Sequence, residues 1–162
     1  MTPFQAYAHT RWVTDFPQWA CLREDLDAHG APFDSIKSGS LQVRYQVPSP
    51  ANPDNILWVV FTPDDIVVKY AVPGSHEHYD PDFYGGPHFD GDRSVFWPQA
   101  YEDAISEYVL PVIQDRMFTL NYGRHSALVC NVEEFLQSNR LRSCQYASWS
   151  CPAKELKLEN MA

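Results

Sequence analysis

The chain has 162 residues, 44% of them hydrophobic and 14% aromatic, enough to cover one core and too few to make two domains comfortable. Twelve basic residues face 21 acidic ones, a net charge of −9, and residues 1–139 alone hold 8 basic and 19 acidic residues, a net of −11. So acidic a body repels phosphate backbones and anionic membranes, which argues against nucleic acid or membrane as a direct partner and makes a basic protein or a cation the natural complement.

In chain order, Ala6–Val13 reads as an edge strand. Thr14 or Asp15 then caps an amphipathic helix in which Phe16, Trp19, Leu22 and Leu26 share one side, Pro17 sits in the first turn and Gly30 ends the helix. After a loop with Pro32, Ser38 and Gly39, residues 41–47 alternate Leu41, Val43, Tyr45 and Val47 with Gln42, Arg44 and Gln46, a strand with one wet face. A turn-rich segment, 48–54, leads to two continuous apolar runs, Ile56–Phe61 and Ile66–Val72, joined by T-P-D-D. The three strands form an antiparallel meander.

Residues 73–93 come next and are unlike the rest. They hold three of the six histidines, five acidic residues, four aromatics, three prolines and four glycines, and no basic residue until Arg93. Proline and glycine interrupt both kinds of backbone ladder, and so many carboxylates are costly to desolvate together, so the stretch is expected to be a long functional surface loop. Ser94–Trp97 follows as a short strand. From Pro98 to about Gln114 a helix places Tyr101, Ala104, Ile105, Tyr108 and Val112 on one stripe, with Glu102, Asp103 and Glu107 outside it. Pro111 is expected to end or kink it near Val109. Phe118–Tyr122 and Ala127–Cys130 flank G-R-H-S as a hairpin, and N-V-E-E from Asn131 opens a third helix around Phe135 and Leu136. The last twenty residues show no period, and from about residue 153 they read as a frayed tail. The fold class is therefore α+β: one domain over residues 1–162, with an antiparallel meander of about four to six strands and two or three helices mainly on one face.

Cys21, Cys130, Cys144 and Cys151 lack C-x-x-C spacing and are expected to stay free, with Cys144 and Cys151 the one conceivable pair. No basic n-region precedes an apolar run at the N-terminus, and no apolar stretch reaches the ~18 residues a bilayer span needs, so a soluble, cytoplasmic protein is expected.

Two chemistries fit residues 73–93. As a protein-binding surface, Glu77, Asp80, Asp82, Asp90 and Asp92 supply charge, and Tyr79, Phe83, Tyr84 and Phe89 supply rigid anchors. As a metal centre, His76, His78, His88 and Asp90 would hold zinc, manganese or iron in a hydrolase or oxygenase. However, H-E-H is not H-E-x-x-H, and neither D-P-D nor F-D-G-D meets the calcium-loop pattern. The chain has no G-x-S-x-G, no phosphate loop and no H-x-[ST] pair, and no cofactor is expected on the first reading. A small acidic α+β domain with an aromatic, carboxylate-rich loop resembles in its general build the bacterial immunity proteins that neutralise a cognate toxin. It resembles type III secretion chaperones less closely. The first resemblance implies a non-enzymatic inhibitor that masks a basic toxin surface.

Overall fold

The computed structural model describes residues 1–20, 23–25, 42–72 and 75–157. It is an α+β arrangement built on two antiparallel sheets. The first runs β1 (Arg23–Asp25), β2 (Gln42–Pro48), β3 (Ile56–Phe61), β4 (Ile66–Tyr70) and β5 (His76–Tyr79) in sequence order. The expected meander, β2 to β4, is its centre, with Val43 opposite Phe61 and Leu57 opposite Tyr70. The second sheet has the order β7-β6-β8-β9, from β6 (Phe118–Tyr122), β7 (His125–Val129), β8 (Ser143–Ala147) and β9 (Lys154–Lys157).

Helices cover one face of the first sheet. Helix α1 (Pro3–Asp15) replaces the strand expected at Ala6–Val13. The cause is local: Thr2 and Gln5 form a reciprocal capping box with Pro3 in the first turn, which satisfies amide donors that a strand would leave to a neighbour. The helix buries Phe4, Ala8 and Trp12 against Tyr45 and Phe61. Buried Gln5 donates from Nε2 to the Phe61 carbonyl (2.9 Å). The helix expected from Phe16 is also corrected. Phe16 caps the end of α1, Pro17–Trp19 is a single 3-10 turn, and Arg23–Asp25 pairs with β2. Trp12 holds this end together, tilted on Phe16 (4.5 Å) and donating from Nε1 to the Trp19 carbonyl (3.0 Å). Leu22, Leu26, Gly30, Cys21 and the following loop lie outside the described residues.

The second long helix begins where a strand was expected. Arg93–Phe96 is a 3-10 turn capped by Asp92, and it leads directly into α3 (Trp97–Ala104). A π-helical turn, Ile105–Val109, and α4 (Leu110–Ile113) continue it. Pro111 therefore neither ends nor breaks the helix. The Leu110 amide bonds back to Ile105, so the ladder has widened by one residue before the proline that cannot join it. The same apolar face stays buried throughout, from Ala100 and Tyr101 to Val109 and Val112.

Helix α5 (Val132–Ser138), capped by Asn131, packs Leu136 into a smaller core with Leu120 and Cys144. The C-terminal stretch expected to be aperiodic and frayed supplies β8 and β9; residues 158–162 lie outside the described set. The two sheets are joined at the β2–β3 connection. Ser49 Oγ donates to the Trp149 carbonyl (2.6 Å), and Asn52 Nδ2 donates to Ser148 (3.1 Å) and Cys151 (3.0 Å). Cys130, Cys144 and Cys151 are free thiols. Among the described residues no helix is long and apolar enough to cross a membrane.

Because Trp12 is fully buried and shared by three aromatic neighbours and a hydrogen bond, Trp12→Ala should lower unfolding free energy by about 3–5 kcal/mol, read from the urea midpoint.

Candidate functional site

Residues 73–93 do not form one open loop. His76–Tyr79 is the edge strand β5, pairing with β4 so that Tyr79 lies opposite Ile66 and Glu77 opposite Val68. Strand alternation splits the expected constellation in two. Tyr79 is only 8% exposed and belongs to the core, so it is not an exposed anchor. His76 and His78 take the opposite face, their rings 5.0 Å apart. His78 donates from Nδ1 to Asp65 Oδ2 (2.6 Å), and the Thr62 hydroxyl bonds the other oxygen of that carboxylate.

After β5, Asp80 caps the short helix α2 (Pro81–Gly85), its Oδ1 accepting the Asp82 amide (2.8 Å). Phe89 is half-buried against its own turn, T-shaped on Phe96 at 4.7 Å. A Cβ at Gly85 would stand 2.9 Å from Phe89 Cβ, and one at Gly91 2.7 Å from Phe89 Cζ. Glycine at both places is thus a steric requirement of seating that ring. Arg93 closes the turn through backbone, donating to the carbonyls of Asp82 (2.9 Å) and Gly86 (3.1 Å). Its guanidinium is thus spent on main-chain oxygens and leaves the carboxylates of Asp82, Asp90 and Asp92 exposed. Asp92 also caps the next turn, and the Ser94 amide it accepts holds its carboxyl below the usual range.

The metal set His76, His78, His88 and Asp90 does not assemble. Among the described residues no three His, Cys, Asp or Glu side chains are grouped to hold a metal ion.

Part of the binding set does assemble, around an open cavity of about 630 Å³. Glu77, His78 and Tyr79 of β5 line it with Asp80 and with Phe83 and Tyr84 of α2. The opposite wall is Asp103, Glu107 and Tyr108 of the long helix, with Met117 and Leu128 reaching in from the second sheet. Phe83 is 79% exposed and Tyr84 38%. The π turn contributes both Glu107 and Tyr108, an arrangement common at functional sites. Tyr108 is pinned: its hydroxyl accepts the Tyr70 amide (3.2 Å) and donates weakly to Ser75 (3.5 Å). Asp103 accepts on both of its oxygens, from the Tyr84 hydroxyl (2.6 Å) and from Gln99 Nε2 (2.8 Å).

Asp103, Glu107, Tyr108, Met117 and Leu128 escape a reading of the sequence. Asp103 and Glu107 read there as the wet side of a helix. Their like charges four residues apart, a destabilising spacing, are the one local sign of another use.

The lining has four carboxylates and neither lysine nor arginine, and its ionisable groups register that field. Burial, then the neighbouring charges of Asp82, Asp65 and Asp64, pushes the Asp80 carboxyl up. Burial first, then Glu107 and Glu77, pushes the Tyr79 phenol up. Tyr84 moves the same way through burial and its bond to Asp103. Such a cavity attracts cations and repels anions.

Comparison with known proteins brings no match: no family model, curated protein or solved structure shows significant similarity to the chain.

Tyr45, Tyr70, Tyr79, Tyr84, Tyr101 and Tyr108 are all raised, each first by burial, Tyr45 to about 12. The folded state holds these phenolic protons more tightly than the unfolded state does. The stabilisation is complete below the unfolded phenol value of about 10 and is lost as pH rises through the folded values. Absorbance titration at about 295 nm should therefore show these six of the nine tyrosines ionising only together with alkaline unfolding. Glu107→Gln, which relieves like-charge repulsion, should raise stability by up to about 0.5 kcal/mol at low ionic strength and by less in molar salt, measured by urea unfolding at both.

Proposed function

We propose that this chain is a non-enzymatic, acidic protein-binding module that masks a basic surface of a partner polypeptide. The single observation that carries the reading is the cavity between β5, α2 and the long helix, where carboxylates from separate elements meet around aromatic walls with neither lysine nor arginine among them. Exposed Phe83 stands beside it. An apolar anchor ringed by charge is the usual composition of a binding hot spot, and the surrounding negative potential speeds the approach of a basic partner.

The form of this function that the build of the chain suggests is inhibition of a toxin, as bacterial immunity proteins do in the cytoplasm. A toxin that acts on a polyanion carries a cationic active surface, and an acidic inhibitor competes for it by charge as well as by shape. The aligned catalytic groups of an enzyme are not needed, and the metal-dependent alternative lacks an assembled donor set among the described residues.

The test is capture of partners from the native host with wild-type chain and with a charge-reversed Glu77→Lys/Asp82→Lys/Glu107→Lys variant. A basic polypeptide should co-purify with the wild type in fixed ratio, associate more slowly as salt rises, and bind the variant at least about tenfold more weakly. Equal retention of the partner by both proteins, or a partner with an acidic surface, would sink the reading.

A further inference from the structure

The proposed protein-binding face has one concave place, and its unused acceptors are arranged for a particular side chain. The two oxygens of Asp103 are occupied by Tyr84 and Gln99, and Asp80 is engaged in capping α2. Glu77 and Glu107 remain: among the described residues, no hydrogen bond or salt bridge holds either carboxylate. They come from different elements, β5 and the π turn, and both line the cavity together with Tyr79. We propose that this cavity receives an arginine side chain of the partner polypeptide, its guanidinium held between Glu77 and Glu107 against the aromatic wall of Tyr84 and Phe83.

The choice of arginine over lysine follows from the acceptors and the walls. Two carboxylates on separate elements require one cation with donors along more than one edge. Guanidinium offers five N–H donors in a fixed plane, whereas ammonium is a compact, strongly hydrated point charge. The neighbouring rings reward a planar cation through stacking and cation–π attraction. The apolar end of the cavity, Met117 and Leu128, suits the methylene stem that a long basic side chain buries behind its head group. Its volume, about 630 Å³, lies within the ordinary range of ligand pockets. Arg93 cannot serve from within the chain, since it is fastened to the backbone carbonyls of Asp82 and Gly86.

This inference rests on the protein-binding reading and is tested apart from it. Blocked glycine peptides carrying a single arginine, lysine or citrulline are titrated into the full chain, with the aromatic ring resonances of its tyrosines observed by NMR. The arginine peptide should shift Tyr79, Tyr84 and Tyr108 and bind about tenfold or more tightly than the lysine peptide, with the uncharged citrulline peptide weaker still. Glu77→Gln/Glu107→Gln should weaken arginine binding about tenfold or more, while Glu133→Gln/Glu134→Gln, on α5 outside the cavity, should leave it within about twofold. Unchanged spectral dispersion in both variants shows that they fold. Equal binding of lysine and arginine, or no shift at the three tyrosines, overturns the arginine assignment. If the captured partner is nonetheless lost on charge reversal, the assignment falls alone; if it is retained as well, the protein-binding reading falls with it.

Discussion

The hydroxyl of Tyr108 sits where the fold has to change direction. Strand β4 ends at Tyr70, and Ala71 follows at φ 54°, a left-handed conformation that an L-residue adopts only under constraint. The Tyr70 amide would be left without a partner at that exit, and Tyr108 takes it from across the core. One side chain thereby fastens the long helix to the end of the central sheet at the point where the chain turns to begin β5. The strand that returns carries Glu77 and Tyr79, and the helix that holds the turn carries Asp103 and Glu107, so the walls of the cavity are set by this one join. Pro111 completes it: the ladder widens ahead of the proline, and the wide turn brings Glu107 and Tyr108 to the cavity together.

Charge and stability are opposed at this place. Burial first, and neighbouring carboxylates after it, raise the protonation equilibria of Asp80, Tyr79 and Tyr84, so further negative charge there is disfavoured. A sequence under selection for stability alone would neutralise one of these carboxylates or set a lysine beside it. The chain instead commits Arg93 to backbone carbonyls and Arg11 to Glu102, Tyr7 and the face of Tyr101, where it ties α1 to α3. These two arginines therefore serve the scaffold rather than the cavity.

The central meander is legible in residues 41–72 because alternation and turn chemistry agree there, and α5 is legible from N-V-E-E. Helix α1 is missed because A-Y-A-H-T-R-W-V also alternates, and the deciding signal is the short T-P-F-Q opening just before it. Composition marks residues 73–93 as a surface excursion, and most of residues 75–93 are exposed or half-buried, yet their four-residue strand is too short to show a period. Its consequence, that Tyr79 turns inward while His76 and His78 turn outward, cannot be read without β4 beside it. Phe89 looks like an anchor in the sequence; that its ring lies half-buried close to Gly85 and Gly91 is visible only in the structure. The far wall was beyond reach for a different reason. Asp103, Met117 and Leu128 lie far from Tyr79 along the chain; the packing of the long helix against β5 brings Asp103 to it, and the second sheet and the residue before it bring Leu128 and Met117.

That last contact has a thermodynamic meaning. Leu128 belongs to β7, an outer strand of the second sheet, yet it helps to form the floor of a cavity whose other walls belong to the first. Local opening of β7 and occupancy of the cavity are therefore linked equilibria: whatever fills the space holds the strand closed, and a strand that opens releases what fills it. Amide protons of residues 125–129, remote in sequence from every acidic group at the site, become reporters of whether the cavity is full.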